Sequence, residues 1–122
     1  EGLADTEYDY DIYCFHGKPE FIHCIKGSHT TERKTSCYDL NWKRLPFNFV
    51  APFNEEDVPK PCNLEEMLQL TEMLCKDFTH VRVDWYNLSN GRLLFSEMTF
   101  SPWGGLQEWS PKEYNFKFGQ LI

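Results

Sequence analysis

Two acids and an arginine late in the chain have the types and spacing for cation and phosphoryl chemistry. The stretch from His80 to Phe100 holds two β-prone runs around Asn90-Gly91, a dipeptide that favours a type I′ hairpin turn. With Asn90 and Gly91 central, Ser89 faces Arg92. Counting back then sets Asp84 across from Glu97 and Arg82 across from Thr99. Directly opposed residues of an antiparallel pair have Cβ atoms ~4.5–5.5 Å apart, where like charges destabilise. A shared divalent cation would give two carboxylates a reason to stand there. Hard oxygen donors suit Mg²⁺, which takes one or two carboxylates plus substrate phosphates. Arg82, on the same face, adds a planar donor that suits phosphoryl oxygens. The alternative from spacing alone is a solvated face, or a surface cluster in which Arg82 neutralises the acids.

That register also assigns faces. Tyr86, Leu88, Leu93 and Phe95 share the acid side, whereas Val81, Val83, Trp85, Leu94, Met98 and Phe100 form the side expected to pack on a helix. The helix is predicted from about residue 64 to 76. Asn63 stands at its N-cap with Glu66 completing a capping box, and Leu64, Met67, Leu68, Leu70, Met73, Leu74 and Phe78 recur at helical spacing. Upstream, Tyr8 to Phe15 and Glu20 to Ile25 read as strands around a His16-Gly17-Lys18-Pro19 turn. Residues 27 to 36 are polar and predict a surface loop, and Tyr38 to Asn54 an irregular aromatic arm. A proline-rich connector follows, and Ser110-Pro111 could open a short C-terminal helix. The expected fold is α+β: a mostly antiparallel sheet of four or more strands built from hairpins, with one main helix on a face.

Composition narrows the classes. The 122 residues fit one domain, and ten phenylalanines favour a filled core over disorder. A formal charge of −7 repels a phosphate backbone, so no nucleic acid is expected, and ATP would need a metal or a local cation cluster. No apolar run reaches the ~18 residues of a membrane span. Five irregularly spaced cysteines without a CxxC pair fit reduced thiols of a cytoplasmic protein better than a disulfide framework. The chain opens at Glu1 without a methionine, as a part of something longer would.

The wording of the hairpin adds to its geometry. Arg82-Val83-Asp84, a turn, then Phe95-Ser96-Glu97-Met98-Thr99-Phe100-Ser101-Pro102 resembles the last strands of ATP-grasp enzymes such as D-alanine–D-alanine ligase. The wider text is similar to the TupA-like branch, named for teichuronopeptide synthesis and found in polysaccharide-biosynthesis loci. The likeness runs through Tyr10 to Pro19, Tyr38 to Trp42, Pro61 to Tyr86, Glu97 to Pro102 and Ser110 to Tyr114. It implies the C-terminal part of an ATP-grasp domain, with Mg²⁺ and ATP as cofactors and a small-molecule or glycan-precursor substrate. Asp84 would hold one Mg²⁺ and Glu97 would bridge two. Thr99 would stand at a third ligand position, Arg82 would contact the transferring phosphoryl group, and Asp9 would bind ribose. The loop Ser101-Pro102-Trp103-Gly104-Gly105 would serve the acceptor, although Trp103 departs from the ligase pattern, as does Asp11, where related sequences usually carry Lys.

The reaction class so implied is attack of a carboxylate on the γ-phosphate of ATP and capture of the acyl phosphate by an amine. No Gly-rich phosphate loop precedes Tyr8. Two readings therefore stay open. One is the Mg²⁺-binding half of a carboxylate–amine ligase completed by an N-terminal half or a second copy. The other is a non-catalytic binding or structural module derived from the same fold.

Overall fold

The computed structural model describes residues 8–27, 33–46, 53–87 and 92–100. Alternating sequence becomes β1 (Tyr8–Phe15), β2 (Lys18–Lys26), β3 (Lys34–Tyr38), β4 (His80–Asn87) and β5 (Leu93–Phe100), with α1 (Leu64–Cys75) between β3 and β4. The strands form one sheet in the order β3-β2-β1-β4-β5, each neighbour antiparallel. This is the expected α+β architecture. Among the described residues no helix is long and apolar enough to cross a membrane.

One sheet face and α1 share the core, which includes Tyr10, Ile12, Ile22, Val81, Val83 and Met67. The helix does so through a narrower stripe than its apolar residues predict. Leu64, Met67, Thr71 and Cys75 are buried, whereas Met73 is 69% exposed and Leu74 and Phe78 also face outward. Thr71 earns its interior position through two hydrogen bonds. Its Oγ1 donates to the Met67 carbonyl at 2.8 Å and accepts from Trp85 Nε1 at 2.9 Å, so no buried hydroxyl is orphaned. The expected capping box does not form. Asn63 has φ −107° and ψ 26° and makes no side-chain cap bond; the Leu64 amide instead donates to the Pro61 carbonyl. Glu65 and Glu66 still place negative charge at the helix N-terminus.

Two further expectations change. Residues 34 to 36, read as loop, belong to β3, where Thr35 and Ser36 are buried. The hairpin of β4 and β5 pairs Asp84 with Glu97 and Arg82 with Thr99 as predicted, yet a bulge follows at Asp84/Trp85. Beyond it Trp85 pairs with Phe95, Tyr86 with Leu94 and Asn87 with Leu93. Phe95 therefore meets the Trp85 ring at 5.7 Å and Leu93 packs against the core, while Leu94 takes the register position on the acid side. The Asn90-Gly91 turn, the loop Ser101 to Gly105 and the helix expected from Ser110-Pro111 lie outside the described residues.

The β1–β2 turn is tied to the end of α1. His16 and Gly17 have φ of 53° and 80°, the positive values a two-residue I′ turn requires. Their amides donate to the carbonyls of Thr79 at 2.7 Å and Phe78 at 3.0 Å. A Cβ on Gly17 would stand 2.7 Å from the Lys76 carbonyl oxygen. Gly17→Ala should therefore lower the free energy of unfolding in urea by about 2 kcal/mol; an unchanged or raised value would contradict this tight approach.

Candidate cation and phosphoryl site

Strand pairing builds a polar row on the sheet face opposite α1. Asp84 of β4 pairs with Asp11 of β1 on one side and with Glu97 of β5 on the other. The row continues from Asp11 to His23 on β2 and Cys37 on β3. Three carboxylates thus stand on successive strands, with the next registers on this face holding Tyr13, Arg82 and Thr99 on one flank and Asp9 and Tyr86 on the other.

Arg82 binds the acids from its own flank. Its Nε and Nη2 donate to the two oxygens of Asp84, each at 2.8 Å, a two-pronged pairing that fixes both planes. Nε also lies 3.8 Å from Asp11 Oδ2, and Nη2 lies 3.8 Å from Glu97 Oε2. Thr99 closes this edge: its hydroxyl is 3.5 Å from Nη2 and donates to Glu97 Oε2 at 3.2 Å. Burial alone would disfavour the guanidinium charge, but the hydrogen bond to Asp84 and the charges of Asp11 and Asp84 raise the Arg82 pKa. The opposite holds for Asp11. Burial, then the charge of Asp84, push its carboxyl well above the ordinary carboxylate range, and Arg82 offsets only part of this.

On the flank away from Arg82 the acids line a cavity of ≈ 190 Å³ together with Asp9, Tyr86 and Ser96. Ser96 is the residue that the Asp84/Trp85 bulge leaves unpaired on β5, so the register irregularity lies beside the acids and shapes this wall. The residues singled out by sequence are thereby brought together: Asp84, Glu97, Thr99 and Arg82 form one contact group, and Asp9 lies on the same cavity. Asp11 was legible only as a departure from a family pattern. Nothing local marks it as a neighbour of Asp84, because the β1–β4 pairing joins segments far apart in sequence.

The donors are hard oxygens throughout, the class that suits Mg²⁺. Among the described residues no three His, Cys, Asp or Glu side chains converge closely enough to hold an ion by themselves. The five cysteines are free thiols, and burial raises Cys14, Cys24 and Cys37, so Cys37 at the end of the row is no nucleophile.

Among known proteins, the family model described as TupA-like ATPgrasp matches residues 4–122 of the chain. No curated protein and no solved structure matches it.

His23 provides a test of how the row is buried. Burial, with the charges of Arg33 and Arg82, lowers its pKa to about 3, against an ordinary value of ~6.5. The unfolded chain then binds this proton where the folded chain does not. Stability from a neutral His23 is therefore complete above about pH 6.5 and is lost as pH falls toward 3, by up to ~1.4 kcal/mol per pH unit. Urea midpoints of the wild type should fall more steeply from pH 7 to 4 than those of His23→Gln; equal slopes would contradict a buried neutral imidazole.

Proposed function

Because the chain belongs to the TupA-like ATP-grasp family, we propose that it supplies the cation-binding half of an ATP-dependent carboxylate–amine ligase acting in cell-surface polysaccharide assembly. The observation that carries this reading is the pairing of Asp84 with Glu97, with Arg82 and Thr99 one register along. Asp84 and Glu97 would hold Mg²⁺, with the Thr99 hydroxyl as a further oxygen. When bound, the ion would neutralise phosphate charge and polarise the phosphoryl oxygens.

The chain's own residues do the positioning. Asp84 orients the Arg82 fork, and the guanidinium so held would contact the transferring phosphoryl group. Asp9, on the cavity wall, is the candidate for a ribose hydroxyl, which an ionised carboxylate accepts. In the reaction a substrate carboxylate oxygen bonds to the γ-phosphorus as the bond to ADP breaks. An amine then attacks the acyl carbon, and inorganic phosphate leaves. The Gly-rich phosphate loop and nucleotide lysines would come from an N-terminal half or a second copy, with the whole acting in the cytoplasm.

A second reading has one observation in its favour. Asp9 and Asp11 add negative charge to the cavity beside Asp84, which opposes entry of a triphosphate. On that reading the chain is a non-catalytic binding module derived from the same fold. Calorimetry separates the two. Binding of ATP that requires Mg²⁺ and weakens at least about tenfold in both Asp84→Asn and Glu97→Gln supports the ligase half. Absence of Mg²⁺-dependent ATP binding by the wild-type chain would leave the binding module.

A further inference from the structure

The two edges of the sheet are treated differently. At β3 the outward backbone groups are occupied: the Asn54 amide donates to the Thr35 carbonyl at 2.8 Å and the Leu45 amide to the Cys37 carbonyl at 2.9 Å. Among the described residues no such bond reaches the outer edge of β5. That strand is eight residues long, holds no proline and carries one charge, Glu97. A long apolar edge of this kind is a template for another strand, and proteins with no use for one blunt it with lysine, proline or a short length. The side chains repeat the asymmetry. Phe95 and Phe100 on the α1 side are 47% and 56% exposed, and Leu94 on the acid side is 40% exposed. Phe78 sets its ring 4.9 Å from that of Phe100, and Met73 and Leu74 on the last turn of α1 are exposed as well. Together these six side chains leave on the order of 500 Å² of apolar surface bare, near the upper limit for a monomer.

We propose that β5 is a dimer interface, pairing antiparallel with β5 of a second copy of the chain about a two-fold axis at Leu94. The register follows from the strand's own faces. With Leu94 opposite its own counterpart, Leu93 meets Phe95 of the second copy, both on the α1 side. Ser96, which the bulge leaves out of the β4 pairing, is left out again. Glu97 then stands across from Arg92, the exposed residue that immediately precedes the strand. Arg92 and Glu97 both fall on the acid side, so opposite charges meet once on each side of the axis. These pairs set the register and offset part of the repulsion between two chains of charge −7. An axis perpendicular to the sheet keeps both α1 helices on one side, so the aromatic patches of the two copies adjoin on a continuous ten-stranded sheet built from two of five. The bare apolar area, with the strand backbone and the charged pairs added, approaches the ~800 Å² per partner of a standard interface. The proposal goes beyond the ATP-grasp reading and does not depend on it.

Sedimentation equilibrium of the full chain at micromolar concentrations is expected to give twice the chain mass of 14.5 kDa. Leu94→Lys, at an exposed position, sets two cations together on the axis and should weaken the dimer at least about tenfold. Phe53→Ser removes an exposed ring at the opposite edge and should leave the dimer unchanged. Arg92→Glu and Glu97→Arg test the register. Each alone brings like charges together and should weaken the dimer. An equimolar mixture of the two restores opposite charges at both pairs and should associate more tightly than either variant alone, a rescue that misfolded chains would not show. A wild type that stays monomeric overturns the proposal and leaves the edge to another segment or another protein. A dimer insensitive to Leu94→Lys overturns it too, as does a mixture that associates no more tightly than its components. ATP binding enters none of these readouts, so their failure leaves the proposed function standing.

Discussion

The contact on which the site depends is the two-pronged pairing of Arg82 with Asp84. Three carboxylates on adjacent strands repel one another at cross-strand distance, and the sheet tolerates them because one guanidinium reaches all three within 3.8 Å. Asp84 takes the full fork, so Asp11 and Glu97 receive only the remainder of the charge. The result is graded: an acid pinned on β4, a buried acid with a raised pKa on β1, and an exposed one on β5. The apolar face beneath allows this gradation to persist, since Ile12 and Val83 share the core with Met67 of α1 and fix the strand register from the other side.

Much of this was legible before any coordinates. The β4–β5 pairing at Asp84 and Glu97 agrees with counting from an Asn-Gly turn, but the pairs nearer the turn, Trp85 with Phe95 and Tyr86 with Leu94, are one residue off that count, so the agreement at Asp84 depends on the bulge. The helix follows from the period of its apolar residues, although the capping box expected at Asn63 does not form. The other failures were non-local. Thr71 and Cys75 displace Met73 and Leu74 from the buried stripe because Trp85, on a strand that follows the helix, offers Thr71 a hydrogen bond. The bulge moves Leu93 and Phe95 to the core side and Leu94 to the acid side, and no residue type in β5 announces it. Asp11 enters the site through a β1–β4 pairing that single-sequence reasoning cannot supply. Its neighbours His23 and Cys37 join the row for the same reason.

The family and the geometry constrain function differently. Membership of the TupA-like ATP-grasp family gives a reaction class. The sheet gives a polarised site, with a cation on one flank of the acid row and a cavity rimmed by acids on the other.

The central claim is that Arg82 compensates Asp11 as well as Asp84, and a double-mutant cycle tests it most directly. Unfolding in urea at pH 7 of the wild type, Arg82→Gln, Asp11→Asn and the double variant isolates their coupling. The account predicts that Arg82→Gln costs at least about 1 kcal/mol less in the Asp11→Asn background than in the wild type. Equal costs in the two backgrounds would contradict it, and Arg82 would then serve Asp84 alone.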